Sequence, residues 1–299
     1  MHLSSNDLFL LSQYAVSAAY QAGHVIAEHS KRTVAVQTKP GAASLAAQVV
    51  TEVDHLSQDI ILQTLLRSCG LFDLALLSEE RPDDHERLRK DFFWSIDPLD
   101  GTLPFIESIP GYSVSIALVS RDGTPYIGVI YDPVEQSLYR AIQGAGAFCN
   151  DQAIKPAAVL PSPEQTVTFI TDKSFAQDPL YKTMLTELPA IAKDSGYRRA
   201  ELVLQGGAAM NACQVLEKAP ACYFKFPKPH QGGGSVWDYA ATACLFREAN
   251  APVSDIYGRP LKLNPAGSTF MNHCGVLYAS DAYLADRMIT LYASLKKNS

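Results

Sequence analysis

Apolar residues recur at helical spacing near the start of the chain: Leu8, Leu11, Ala15, Ala18, Ala22, Val25 and Ile26. That period predicts an amphipathic helix over 7–29, with Ser5 or Asn6 as its N-cap. Lys39-Pro40-Gly41-Ala42-Ala43 breaks the pattern and reads as a loop. Thr51-Glu52-Val53-Asp54 leads into a second amphipathic helix carrying Leu56, Ile60, Ile61 and Leu65, with Gly70 as its C-cap. After a polar run over 79–90 the texture changes. Positions 92–96 are strand-like and stop at Asp97-Pro98, while 112–119 and 126–131 are β-rich runs joined by the hairpin signal Arg121-Asp122-Gly123-Thr124-Pro125. A third strand over 137–142 precedes a turn at 144–146.

From about 156 strands and helices alternate. Strands are expected at 166–171, near 201–204 and at 222–226, and helices near 180–188, at 208–217 and at 237–249, with a loop over 227–235. The pattern predicts a layered α/β protein with two halves, 1–155 and 156–299, forming one compact unit that divides around 152–163.

Composition narrows the partners. The 299 residues are 47% hydrophobic and 19% charged, with a formal net charge of −6 and no long Lys/Arg block. A nucleic-acid polymer needs a basic stripe, so that class is excluded. A small anionic substrate is not, because bound cations invert the charge of an acidic site. Six cysteines lie scattered without a C-x-x-C pair, and the first residues lack a basic region followed by an apolar one. No apolar run is long enough to span a bilayer. A cytoplasmic protein with reduced thiols and no membrane partner is expected.

The candidate chemistry lies in Trp94-Ser95-Ile96-Asp97-Pro98-Leu99-Asp100-Gly101-Thr102. Asp97 and Asp100 flank a proline at the exit of an apolar strand, so both carboxylates can converge on one hard cation, with the Leu99 carbonyl as a third oxygen. A helix beginning at Gly101-Thr102 would turn free amides toward a phosphate. Asp-Pro and Asp-Gly are common turn dipeptides taken singly. Five fixed positions in order, at about 5% usage each, recur by chance in roughly one chain in ten thousand of this length. Phosphatases that phosphorylate an aspartate use Asp-x-Asp, whereas here Leu99 stands two places after Asp97 and the next aspartate, Asp100, three. The alternating ligands of an EF-hand are also absent.

Asp97-Pro98-Leu99-Asp100-Gly101-Thr102 resembles the signature of the inositol monophosphatase superfamily of Mg²⁺-dependent, Li⁺-sensitive phosphatases. Val50-Thr51-Glu52-Val53-Asp54, Leu77-Ser78-Glu79-Glu80 and Trp237-Asp238-Tyr239-Ala240-Ala241 with Glu248-Ala249 are similar to three further segments of that family, in order and in rough spacing. The resemblance covers nearly the whole chain. It implies an αβαβα sandwich with its active site between the halves. It implies Glu79, Asp97, Asp100 and Asp238, with the Leu99 carbonyl, as ligands of two or three Mg²⁺ ions. Asp54 and Thr102 would orient an attacking water made acidic by the metals.

The resemblance also places Gly101, Thr102, Gly207 and Ala208 on the substrate side. Gly232-Gly233-Gly234-Ser235 lacks the partner residues of a P-loop and reads as a loop that places Asp238. The histidines show no ligand spacing. Lys225 falls where inositol monophosphatases carry a Glu; a cation there suits a second phosphate, and a Lys facing solvent at a sheet edge is the plainer alternative. Asn250-Ala251 replaces the family's Gly-Gly. The substrate expected is a small phosphorylated metabolite. A 3′(2′),5′-bisphosphate nucleotide is placed first, an inositol or sugar monophosphate is the rival, and a non-catalytic metal-binding member is the alternative of another class. A homodimer is weakly favoured over a monomer.

Overall fold

Alternation along the central strands divides the protein into layers. In β4 (Phe92–Asp100), Trp94 and Ile96 pack with the two N-terminal helices, and Phe93 packs toward the interior. In β12 (Ala221–Lys225), Ala221 and Tyr223 face that same interior, while Cys222 and Phe224 face the C-terminal helices. In the computed structural model residues 1–30, 36–38, 49–155, 161–232 and 234–297 are described. The expected loop at Lys39, residues 156–160 of the expected division and Gly233 lie outside them.

α1 (Ser5–His29) is capped by Ser4, one residue earlier than the pattern suggested. The Ser4 hydroxyl accepts from Asp7 N at 3.2 Å, and Asp7 accepts from Ser4 N at 2.8 Å. The reciprocal pair needs an acid three residues on, which Ser4 has. β1 (Val36–Thr38) pairs antiparallel with β2 (Val49–Thr51). α2 (Glu52–Phe72) runs through Gly70, the expected C-cap, and ends at Asp73, whose φ is 47°. Packing against α1 holds that last turn despite a glycine cost of about 1 kcal/mol.

β3 (Ala75–Ser78) and β4 are parallel neighbours. From β4 the sheet continues antiparallel through β5 (Ser113–Ser120), β6 (Pro125–Asp132), β7 (Ser137–Ile142), β8 (Gly146–Cys149) and β9 (Gln152–Ala153), seven strands in sequence order. β4 does not stop at Asp97-Pro98. Asp97 stands opposite Ser115 and Asp100 opposite Ser113, so one extra residue is absorbed in a bulge. Pro98 has no amide to give the ladder, and the bulge accommodates it.

α3 (Thr102–Ile106) is one short turn. β10 (Thr166–Asp172), α4 (Tyr181–Asp194), β11 (Arg199–Gln205), α5 (Ala208–Glu217), β12 and α6 (Val236–Glu248) follow the predicted alternation. Beyond the last predicted helix the chain adds β13 (Val253–Ser254), β14 (Val276–Ala279) and α7 (Ala282–Lys297). The second sheet has the order β11-β10-β12-β14-β13; β10, β11 and β12 are parallel, and β14 is antiparallel to both neighbours.

The layers are therefore α1/α2, the seven-stranded sheet, α5/α6, the five-stranded sheet, and α4/α7. This is the αβαβα sandwich expected. The middle helix layer joins both sheets through one core that includes Phe93, Val119, Ala209, Tyr223 and Tyr278.

Candidate active site

The bulge at the carboxyl end of β4 takes Pro98 and Leu99 out of the ladder and leaves Asp97 and Asp100 paired on either side of it. Asp97 Oδ1 accepts from Leu99 N at 3.0 Å, and the Pro98 carbonyl accepts from Ser57 Oγ at 2.7 Å. Asp100 reaches across to the other half of the molecule. Its two oxygens accept from Ala208 N at 2.9 Å and Ala209 N at 2.7 Å, the first amides of α5. A carboxylate at a helix N-terminus is favoured both by the open amides and by the dipole. Ala208, expected on the substrate side, gives its amide to Asp100.

Three glycines make this crossing possible. A Cβ on Gly207 (φ +78°) would stand 1.8 Å from the Gly111 carbonyl oxygen, and one on Gly101 (φ +89°) would stand 2.7 Å from it. Backbone meets backbone there, so side chains are excluded.

Asp54, Thr102 and Asp238 sit at helix starts. Thr51 caps α2: its hydroxyl accepts from Val53 N at 3.1 Å, and Asp54 Oδ2 accepts from Thr51 N at 2.8 Å and from Thr51 Oγ1 at 2.6 Å. Asp54 Oδ1 remains for Thr102, whose hydroxyl lies 3.2 Å away and 3.4 Å from the Leu99 carbonyl. Asp238 plays the Asp54 part at α6, with Oδ2 accepting from Ser235 N at 2.5 Å. Ser115 Oγ donates to the Trp237 carbonyl at 3.1 Å and ties that helix start to β5.

Among the described residues, Asp97, Asp100 and Asp238 each bring a carboxylate oxygen within 4.8 Å of the other two. Glu79 follows β3, its amide donating to the Ile96 carbonyl at 3.1 Å. It stands beside the trio, close enough for its charge to act on Asp97, Asp100, Asp238 and Asp54.

Electrostatics describe a centre with an excess of negative charge. Burial, then the charges of Glu79, Asp100 and Asp238, hold the Asp97 carboxyl well above the usual range. Burial, then Asp100 and Glu79, push Asp238 up to about 8; Asp100, also buried but held by the α5 amides, is pushed up to about 6. Burial raises Asp54 too, against the hydrogen bonds from Thr51. Converging oxygens that repel one another suit a hard divalent cation, which would replace the protons they otherwise hold. The donor set therefore fits a metal.

Lys225 is neither at a sheet edge nor facing open solvent. β12 lies between β10 and β14, and Lys225 Nζ is 2.8 Å from Asp172 Oδ2 at the end of β10. Of the groups the expected set omitted, Thr51 had a local signal, the Thr-x-x-Asp capping pattern. Ser57, Gly111 and Asp172 had none, since each acts on a residue far away in sequence.

The profile described as the inositol monophosphatase family matches residues 8–296. Inositol monophosphatase 2 of Homo sapiens is 32% identical over 256 residues, 84% of this chain and 82% of that protein. The Nus factor SuhB of Pasteurella multocida is 31% identical over 245 residues, 82% of this chain and 84% of that protein. The Thermotoga maritima IMPase superposes with a TM-score of 0.73 at 21% identity, covering 96% of this chain and 98% of the other, which shows the shared fold. A carboxylate trio built for a cation, in a sandwich matched from end to end, places the chain in the inositol monophosphatase family of metal-dependent phosphatases.

Proposed function

We propose that the protein hydrolyses the phosphomonoester of a small polyol such as inositol, using Mg²⁺ held by Asp97, Asp100 and Asp238 with Glu79 and the Leu99 carbonyl. The convergence of the three aspartates within 4.8 Å is the observation that carries this reading. A divalent cation bound there supplies Lewis-acid charge to the phosphoryl oxygens and to water. The chain's own part is orientation and proton handling. Thr102 donates its hydroxyl proton toward Asp54 Oδ1, leaving its oxygen lone pairs to accept from a water. Asp54 Oδ2 is occupied by Thr51, so Oδ1 has one geometry available to it. The raised pKa of Asp54 makes it the better acceptor for a proton passed along that hydrogen bond.

Two observations favour a polyol monophosphate over the bisphosphate nucleotide placed first from sequence. The positive charge of Lys225, which motivated a second phosphate, is taken up by Asp172. The relative at 32% identity is named an inositol monophosphatase. No helix is long and apolar enough to cross a membrane among the described residues, and a cytoplasmic site of action and a homodimer belong to this proposal. The non-catalytic alternative is disfavoured by the presence of every expected carboxylate together with Thr102.

The test is phosphate release in Mg²⁺, with and without Li⁺, from inositol 1-phosphate, adenosine 3′,5′-bisphosphate and fructose 1,6-bisphosphate. Mg²⁺-dependent release favouring inositol 1-phosphate is expected. Preference for the nucleotide overturns the substrate assignment, and no release from any phosphomonoester overturns the catalytic reading.

A further inference from the structure

The buried face of α2 changes character along its length. It runs through Asp54, Ser57, Gln58, Ile61, Leu62 and Leu65, at the three- and four-residue steps of one helix face. The later part is apolar, as a core face should be, but the first turns bury three polar side chains. Each reaches a different segment of the carboxylate centre. Asp54 accepts from the Thr102 hydroxyl at 3.2 Å, and Ser57 donates to the Pro98 carbonyl at 2.7 Å. Gln58, 6% exposed, holds the turn that carries Glu79.

It holds that turn from both sides. Gln58 Oε1 accepts from the Ser78 hydroxyl at 2.6 Å, and its Nε2 donates to the Glu80 carbonyl at 3.4 Å. Glu79 is the one residue between them. The Glu79 amide donates to the Ile96 carbonyl at 3.1 Å, which ties the turn to β4 next to Asp97. Three consecutive residues are therefore fixed by α2 and β4. The three converging aspartates come from β4 and α6, whereas Glu79 comes from the turn after β3 and depends on these anchors to stand beside them. A buried amide left unpaired costs about 1–3 kcal/mol, and a methionine would fill the same space without that risk. A glutamine here is explained by the two groups it joins.

We propose that Gln58 is a positioning residue for Glu79: by bridging Ser78 and Glu80 it sets where the Glu79 carboxylate stands relative to Asp97, Asp100 and Asp238, and so how tightly the centre holds a divalent ion. The inference rests on the reading of Glu79 as a ligand there. Hydrogen-bond partners that orient a ligand are worth about ten- to a hundredfold in metal affinity. Ser68, further along the same helix, supplies the control. It is also buried and also ties α2 to β4, accepting from Trp94 Nε1 at 2.9 Å, but its other hydrogen bond goes to the Leu65 carbonyl.

The experiment is calorimetric titration of the metal-stripped full chain with Mn²⁺ at one fixed pH, since the ligands bind metal in competition with protons. It compares wild type, Gln58→Met, Glu79→Gln, the double variant Gln58→Met/Glu79→Gln and Ser68→Ala. Gln58→Met is expected to weaken Mn²⁺ binding about tenfold. Glu79→Gln is expected to weaken it at least as much, and adding Gln58→Met to Glu79→Gln to change it by less than about twofold, because the two act as one unit. Ser68→Ala is expected to stay within about twofold of wild type, whatever stability it loses. If Gln58→Met does not fold, Ser78→Ala takes its place in the same cycle, with weakening in the same direction. Wild-type affinity in Gln58→Met, equal weakening in both backgrounds, or a matching loss in Ser68→Ala overturns the inference alone. Absence of Mn²⁺ binding by wild type, or wild-type affinity in Glu79→Gln, overturns the ligand reading and this inference with it.

Discussion

At the start of α1, Ser4 and Asp7 exchange hydrogen bonds on the protein surface; at the start of α6, Ser235 and Asp238 make the same exchange inside the cleft. The local device is identical, a short hydroxyl residue with an aspartate three places on. Asp7 meets little but its cap, and the Ser4 hydrogen bonds hold its pKa below the usual value. Asp238 is half-buried beside Asp100 and Glu79, and its pKa is pushed up to about 8. Asp54 at α2 is a third instance, raised by burial and facing Thr102. A capping box fixes one oxygen of its carboxylate and leaves the other free. Whether that free oxygen does chemistry depends on what the rest of the chain brings to it.

The largest expected contrast comes from neutralising the two acids in turn. Asp238→Asn should lower the rate of phosphate release by about three orders of magnitude, the several kcal/mol that metal charge gives a transition state. Asp7→Asn should leave that rate within about twofold, as surface changes away from a site do. Comparable losses in both would break the distinction between the two boxes.

Thr102→Ala probes the free oxygen of the third box, that of Asp54. A loss of about 10²-fold in kcat is expected, the usual range for a positioned proton acceptor, with little change in Tm. A wild-type rate would remove Thr102 and Asp54 from the reaction.

The pH dependence of the metal-free protein should separate buried from exposed acids. Asp100 and Asp238 have folded pKa values of about 6 and about 8, above the ordinary 3.8. The folded form then binds extra protons between about pH 4 and 8, so stability must fall as pH rises through that window. A decline of several kcal/mol is expected in denaturant titrations. Mg²⁺ should reverse it, most at the upper end. A flat profile, or a stability that climbs with pH, would contradict the raised values.

The smallest effects concern the caps themselves. Thr51→Ala should cost about 1 kcal/mol of stability and also slow turnover, because Asp54 loses its anchor. Ser4→Ala should lower stability without touching turnover. A turnover change in Ser4→Ala would mean that α1 acts on the site in a way its surface box does not suggest.

Much of this protein was legible residue by residue. Helical spacing located α1, α2 and α6, alternation located β5 to β7, and Asp97-Pro98-Leu99-Asp100-Gly101-Thr102 marked the centre. These signals are local, since periodicity and capping are properties of adjacent residues. Other features had no local trace. Gly70 looked like a helix end and was carried through by packing against α1, and Asp97-Pro98 looked like a strand end and became a bulge.

Lys225 shows the same division most sharply. Sequence offered a cation suited to a second phosphate, yet the pairing of β10 with β12 set Asp172 beside it and satisfied its charge. Sequence alone determined which residues carry charge and which local geometry each would adopt. Tertiary structure alone decided which charges meet, how deeply they are buried and therefore which ones ionise, because those energies depend on distance and dielectric between segments far apart in the chain.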